Sequence, residues 1–368
     1  MNTACDNAGM RRPFSELRGL RRALAAMALW LIGIGSPSAQ SPITLRVHHF
    51  LPPDSSEALK PWCERLERGS QQRLRCQIVP AMGLGGKPNE LYDQARTGFV
   101  DVAWTMAGYT PGRFPTLEVF ELPFMSKSAD GTSRALWEFY TRYAKNEFTD
   151  VKLLALHVHD DGLLHMRDAP VESLESLKGK KIRAPSRFVG RLLASLGAEP
   201  VTAPLPAMLE GIAKGTLDGT VLPWEAVPPT RLQQRVRFHT ETDPLKPALY
   251  TAVLILAMNW DRYRSLPPDL RALIDRNAGV ELSTELGRLM IEGSKPGRKV
   301  ALGQGNKINV LPYSELARWE TLTTPLYAAW VEEIDKLGRP GLNMLLDARA
   351  LIEMYSSPMF GGKGANRR

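Results

Sequence analysis

Apolar and polar positions along this chain switch between two periods. Runs of period two, such as Leu45-Arg46-Val47-His48-His49-Phe50 and Leu74-Arg75-Cys76-Gln77-Ile78-Val79, stop at Pro52-Pro53 and Pro80 and predict strands. Helical spacing runs from Ser56 to Glu67, from Pro88 to Thr97, and through Leu205, Leu209, Ile212 and Ala213, where Pro206 sits in the first turn. Gly98 and Gly215 stop the last two helices, and strands Val100 to Trp104 and Thr216 to Leu222 follow. The chain therefore carries two helix–Gly-x-x-Asp–strand units, Gly98-Phe99-Val100-Asp101 and Gly215-Thr216-Leu217-Asp218, which suggest two similarly built lobes. Lys152 to Val158 and Thr251 to Met258 are apolar strands suited to cross between them. A long helical run from Pro267 to about Ile291 should be interrupted or ended by Gly293-Ser294-Lys295-Pro296-Gly297. A last strand, Asn309 to Leu311, precedes a helix from Ser314 to Leu337. Alternating helices and strands specify an α/β fold. The expected division is lobe I from 40–160 with 251–290, lobe II from 161–250 with 291–350, and a partly disordered extension at 351–368.

The ends and the charge narrow the setting. Arg11, Arg12, Arg18, Arg21 and Arg22 precede the apolar run Ala23 to Ile34, and Ser36-Pro37-Ser38-Ala39 supplies small residues for cleavage after Ala39. This is the layout of a secretory signal over 1–39, and its apolar run falls short of the about 20 residues that span a bilayer. Cleavage removes five Arg and two acids, taking the formal charge from +8 to +5. The remaining basic residues are interspersed with acids, without a polybasic stripe or interleaved aromatics, so nucleic acid is not an expected partner. Export leaves Cys63, on the helix after the first strand, and Cys76, on the second strand. An even pair in an oxidising compartment points to a disulfide, with two free buried thiols as the alternative.

One segment carries candidate binding chemistry. In Leu177-Lys178-Gly179-Lys180-Lys181-Ile182-Arg183-Ala184-Pro185, a turn feeds a short strand on which Lys181 and Arg183 share the face opposite Ile182. Pro185 ends the strand and leaves Arg183 at its carboxyl end, where open α/β sheets bind ligands. Its guanidinium is a planar fork matched to a carboxylate; a surface Arg in a basic turn is the alternative. Other candidates point away from catalysis. Gly83-Leu84-Gly85-Gly86-Lys87 lacks the spacing of a phosphate loop, with Pro88 where Ser or Thr belongs. His157 and His159 share a strand face, but no third ligand completes a metal site. There is no nucleophile elbow and no paired acid–base motif. The expectation is a binding protein that is not an enzyme and has no cofactor and no metal.

The ordered motifs resemble the solute-binding proteins of tripartite ATP-independent periplasmic (TRAP) transporters, the DctP family. They are Pro80-Ala81-Met82-Gly83-Leu84-Gly85-Gly86, Gly98-Phe99-Val100-Asp101-Val102, Phe120-Glu121-Leu122-Pro123-Phe124, the Arg183 segment, Leu196-Gly197-Ala198-Glu199-Pro200-Val201, Gly215-Thr216-Leu217-Asp218-Gly219, and Met258-Asn259 with Leu266-Pro267. The resemblance implies a bilobal periplasmic receptor, braced by a long helix, whose cleft closes on an organic acid and delivers it to membrane permease subunits. It implies Arg183 as the carboxylate clamp, and the receptor is expected to be monomeric. A periplasmic ligand sensor and a secreted hydrolase are the competing classes.

Departures from the family pattern shape the expected solute. Where many members place a second Arg, this chain reads Gly162-Leu163-Leu164-His165, and where many place Glu-Asn it reads Leu222-Pro223-Trp224-Glu225. The stretch Trp104-Thr105-Met106-Ala107-Gly108-Tyr109 replaces polar positions with Trp and Met. One Arg and an apolar pocket suit a small monocarboxylate with an aromatic body. Trp104, Tyr109 and Trp224 would offer ring faces, and Phe50, Met106 and Leu205 would fill the remainder. Core packing is the alternative role for Trp104 and Trp224. An aliphatic 2-oxo or 2-hydroxy acid is the competing solute, its second oxygen reaching His49, His165 or a backbone amide.

Overall fold

The computed structural model of the protein describes residues 1–2 and 41–357. The expected signal peptide (1–39) beyond Asn2, and the tail from residue 358, lie outside the described residues. From Pro42 onward two mixed sheets form, their strands numbered in chain order. The first runs β2 (Leu74–Val79), β1 (Ile43–His49), β3 (Val102–Met106), β10 (Val253–Met258), β4 (Lys152–Val158). The second runs β11 (Lys307–Val310), β9 (Phe238–Glu241), β5 (Gly162–Met166), β8 (Gly219–Pro223), β6 (Lys181–Ala184), β7 (Glu199–Thr202). β1 lies parallel to β2 and β3, and β6 parallel to β7 and β8. The antiparallel members β4, β5 and β10 sit where the chain changes sheet. β4 passes through residues 159–161 into β5, and β9 leads back through 242–252 to β10. This is the bilobal α/β architecture, with β4 and β10 as the apolar crossings.

The two Gly-x-x-Asp units perform the same mechanical task. Gly98 (φ 79°) and Gly215 (φ 74°) end their helices in the left-handed conformation that glycine adopts without a Cβ penalty. Each Asp then reaches the neighbouring parallel strand. Asp101 Oδ2 accepts from Arg46 N at 2.7 Å, and Asp218 Oδ2 accepts from Lys181 N at 2.7 Å. A charged acceptor on a strand amide helps to fix the strand's register; Arg46 is the middle residue of β1, whereas Lys181 is the first of β6, so there the bond also marks where the strand begins. For β6 this places Arg183 opposite Thr220 and Val201.

The helical layer differs from the pattern-based reading in three places. The run from Pro267 is two helices, Pro268–Arg276 and a long helix Val280–Gly303. The long helix continues through Gly293-Ser294-Lys295-Pro296-Gly297, which was expected to interrupt or end it. An interior proline costs about 3 kcal/mol. Packing overrides that cost: a Cβ on Gly297 would lie 2.0 Å from the Trp224 carbonyl oxygen, so the small residue seats the helix directly on the turn after β8. The same helix packs on Ala129–Tyr143, which covers β4 and starts at Ser128, whose Oγ accepts from Gly131 N. Ala129–Tyr143 was not anticipated, although Ser128 and the buried Ala135, Leu136 and Phe139 carry its cap and apolar face. Pro325 splits the expected Ser314–Leu337 helix into Tyr313–Thr323 and Pro325–Lys336.

A last helix, Gly341–Ser356, packs on Ala129–Tyr143, with Arg142 paired to Asp347 at 2.7 Å. The expected grouping of 291–350 with the second lobe does not hold for it, and 351–356 are its final turns. Cys63 and Cys76 are bonded to one another, Cα–Cα 5.7 Å, tying the helix Lys60–Gly69 to β2. No helix among the described residues is long and apolar enough to cross a membrane.

Candidate ligand-binding cleft

Pinned by Asp218 and stopped by Pro185, β6 carries Arg183 into the space between the two sheets. Arg183 is 1% exposed. Its Nε donates to the Ala203 carbonyl at 2.7 Å, which turns the rest of the guanidinium away from β7. Part of that remainder hydrogen-bonds the Tyr109 hydroxyl, which also accepts from Leu205 N at 3.1 Å. With its lone pairs engaged, the Tyr109 O–H is left to donate. No ion pair among the described residues includes Arg183. A buried cation without a carboxylate is costly unless an anion completes it.

The space it faces is a cavity of about 250 Å³. The first sheet contributes Phe50 after β1, Trp104 and Met106 on β3, and Leu254 on β10. The second contributes Arg183, Pro185, Leu222 and Pro223, with Leu205 from the helix between β7 and β8. Leu289, Met290 and Gly293 of the long helix form a third wall, and His159 and Tyr250 enter from the two crossings. Phe50 meets Tyr109 edge-on at 4.9 Å. Acidic groups also border the cavity: Asp54 and Glu57 on the short helix after β1, and Glu225 after β8.

Of the residues expected at the site, Arg183, Trp104, Tyr109, Phe50, Met106 and Leu205 line this cavity. Trp224 and His49 are not in its lining. The chain turns at Pro223, so Trp224 packs behind β8 on His165 and His239, and its Nε1 donates to Glu241 at 2.8 Å. The next residue, Glu225, takes the cavity side. His49 lies beneath the wall, bonded to Ser56 at 2.9 Å and edge-on to Trp104. His165 is likewise occupied, its Nε2–H donating to the Leu222 carbonyl at 2.9 Å.

Tyr250, His159 and Glu225 line the cavity without having been expected there. Tyr250 sits just before an apolar strand and gives no local signal. In the sequence His159 stands out only as half of a strand-face pair with His157, although a histidine beside Asp160-Asp161 at a crossing marks a polar group at a lobe junction.

Burial sets the electrostatics. The sequence holds six histidines, and desolvation lowers the pKa of each: to about 4 for His49, His159 and His239, to about 3 for His157, and also downward for His48 and His165. Their hydrogen bonds fit neutral rings. His157 Nε2 accepts from Trp104 Nε1 at 2.9 Å. His239 gives its Nδ1 proton to His165 Nδ1 at 2.6 Å, because His165 already donates from Nε2 to a carbonyl. His48 accepts from Leu84 N and so anchors the Gly-rich turn to β1, which explains that turn without a phosphate. Glu225 is pushed well above the usual carboxylate range, chiefly by burial and then by Asp160; its oxygens accept from Asp160 N and Ser294 Oγ, each at 3.2 Å. Among the described residues no group of three or more His, Cys, Asp or Glu is arranged to hold a metal ion.

Residues 49–333 match the family described as bacterial extracellular solute-binding protein, family 7 (DctP). A TRAP solute-binding protein from Rhodoferax ferrireducens T118, crystallised with copurified benzoate, is 44% identical with a TM-score of 0.83, covering 85% of this chain and 98% of that one. A marine metagenome TRAP solute-binding protein specific for aromatic acid ligands, solved with 3-hydroxybenzoate, is 39% identical with a TM-score of 0.83, covering 86% and 99%. The outer membrane transporter protein TsaT of Comamonas testosteroni is 25% identical over 332 residues, 88% of this chain and 96% of that protein.

Proposed function

This chain belongs to the DctP family of extracellular solute-binding proteins, and from that premise we propose that it is a periplasmic TRAP receptor for a small aromatic monocarboxylate. The observation that carries the reading is Arg183, buried without a carboxylate partner in the lining of a cavity walled by Phe50, Trp104, Met106 and Leu205. Its free guanidinium edge and the Tyr109 O–H would hold one carboxylate. The aromatic and aliphatic walls suit a ring, and the benzoate and hydroxybenzoate bound by the two solved relatives are of that class. Acids elsewhere on the lining (Asp54, Glu57 and Glu225) disfavour a second anionic group, so a C4-dicarboxylate would strand one carboxylate opposite like charge or an acid.

The receptor would close its two lobes around the acid and hand it to membrane permease subunits. Export by the 1–39 signal and a monomeric state belong to the same proposal. Calorimetric titration of the exported protein with benzoate, phenylacetate, a branched 2-oxo acid and succinate tests it. Benzoate-type acids should bind, and succinate should not. Binding of succinate alone would overturn the reading.

A further inference from the structure

His159 offers the cavity a hydrogen-bonding atom that the preceding proposal leaves unused. Its Nδ1 lies 2.5 Å from the Asp160 carbonyl oxygen, an atom that only accepts, so the ring proton is on Nδ1. Burial lowers its pKa to about 4, so the ring is neutral at working pH and Nε2 is a bare acceptor. Among the described residues Nε2 has no hydrogen-bond partner, and the residue lines the cavity at 7% exposure. The ring is held in place: it meets Tyr250 edge-on at 5.1 Å, and the neighbouring Asp160 N–H is bound by Glu225 at 3.2 Å. Arg183 lines the same cavity, so the two side chains face one ligand space.

We infer that His159 is a specificity-determining residue that reads a hydroxyl next to the ligand carboxylate, making 2-hydroxy aromatic acids the preferred members of the class. This rests on the aromatic-monocarboxylate reading. An acceptor fixed in one tautomer pairs with a hydroxyl, gains nothing from a methylene and opposes the lone pairs of a keto oxygen. The site thereby separates 2-hydroxy from 2-oxo acids. The role expected of His49 or His165 moves to His159, since those two rings are engaged elsewhere.

Mandelate, phenylacetate and phenylglyoxylate differ only at that carbon and are the probes. In calorimetry on the exported protein, mandelate should bind about three- to tenfold more tightly than phenylacetate, the worth of one net hydrogen bond. Phenylglyoxylate should bind more weakly than either. His159→Phe, which keeps a ring against Tyr250, should bring the three affinities within about twofold while phenylacetate binding persists. His159→Gln, whose amide presents an oxygen, should restore part of the mandelate preference and serves as the second variant if the Phe form misfolds. Equal weakening of all three ligands in either variant, or a wild type preferring phenylglyoxylate, overturns the assignment to His159. Failure of every aromatic acid to bind the wild type would instead remove the aromatic reading itself and this inference with it.

Discussion

The two Gly-x-x-Asp units make the same joint and serve different ends. Asp101 and Asp218 each hold a neighbouring parallel strand through a 2.7 Å bond to a backbone amide, at the middle of β1 and at the start of β6. The strand held by Asp101 runs on to Phe50, an apolar wall of the cavity; the strand held by Asp218 ends in Arg183, its buried cation. Asp101 is also paired with Arg262 at 3.1 Å, whereas Asp218 serves β6. The lesson is a division of labour. Both lobes supply apolar wall, the buried cation comes from the second alone, and a shared device sets the register in which each strand delivers its side chain.

Acid is the strongest way to test whether the halves stand or fall together. His48, His49 and His157 are in the first sheet or at its end, and His165 and His239 in the second. Each has a folded pKa below the unfolded 6.5, so the folded state binds fewer protons. The stability they contribute is present above pH 6.5 and is lost as pH falls from there toward about 4. Glu121, raised to about 7, and Glu118, Glu147 and Glu225, also raised by burial, act oppositely: their contribution is present below pH 4.5 and lost as pH rises through the folded value. Six histidines outweigh these four acids, so stability in urea should fall by several kcal/mol between pH 6.5 and 4.5. A tenfold difference in proton affinity between the folded and unfolded states is worth about 1.4 kcal/mol. Far-ultraviolet dichroism and tryptophan fluorescence should report one transition. Two separate transitions would show the halves to be independent.

Charge comes next. Arg183→Ala should weaken benzoate binding at least about 100-fold, because a desolvated carboxylate loses its only cation. The unliganded melting temperature should hold or rise, since an uncompensated buried charge is gone. Arg183→Lys should remain about tenfold or more weaker than wild type, through loss of the fork. Near-normal calorimetric affinity in the Lys variant would mean that charge alone suffices.

The joints themselves sharpen the comparison. Asp101→Ala and Asp218→Ala each remove a charged acceptor and should each cost about 1.5–3 kcal/mol in urea unfolding. Affinity should drop roughly tenfold only for Asp218→Ala, where the start of β6 loosens. Equal affinity losses in both variants would dissolve the division of labour. The smallest effect belongs to the wall: Phe50→Leu should weaken benzoate by about two- to tenfold relative to an aliphatic acid of similar size, the worth of one edge-on ring contact.

Much of the cleft was legible because it depends on short-range rules. Period two and Pro185 put Arg183 at a strand end, and glycine with aspartate at fixed spacing marked both joints. Direction at turns was not legible. Trp224 and Glu225 are neighbours, and a turn of one residue after Pro223 decides which of them meets the ligand and which packs on His165 and His239.

By itself the sequence determined the strands that lead to Phe50, Trp104 and Arg183 and the faces of those strands, the helix stops at Gly98 and Gly215, the cysteine pair and the single arginine able to anchor an acid, since each follows from the stereochemistry of a few adjacent residues. Only the tertiary structure decided that His159, Arg183 and Tyr250 share one cavity. These residues sit on separate segments, brought together by sheet order and by a helix seated at Gly297 against the Trp224 carbonyl. Local periodicity specifies which way a side chain points from its own strand. It carries no information on what another strand, many residues away, places in front of it.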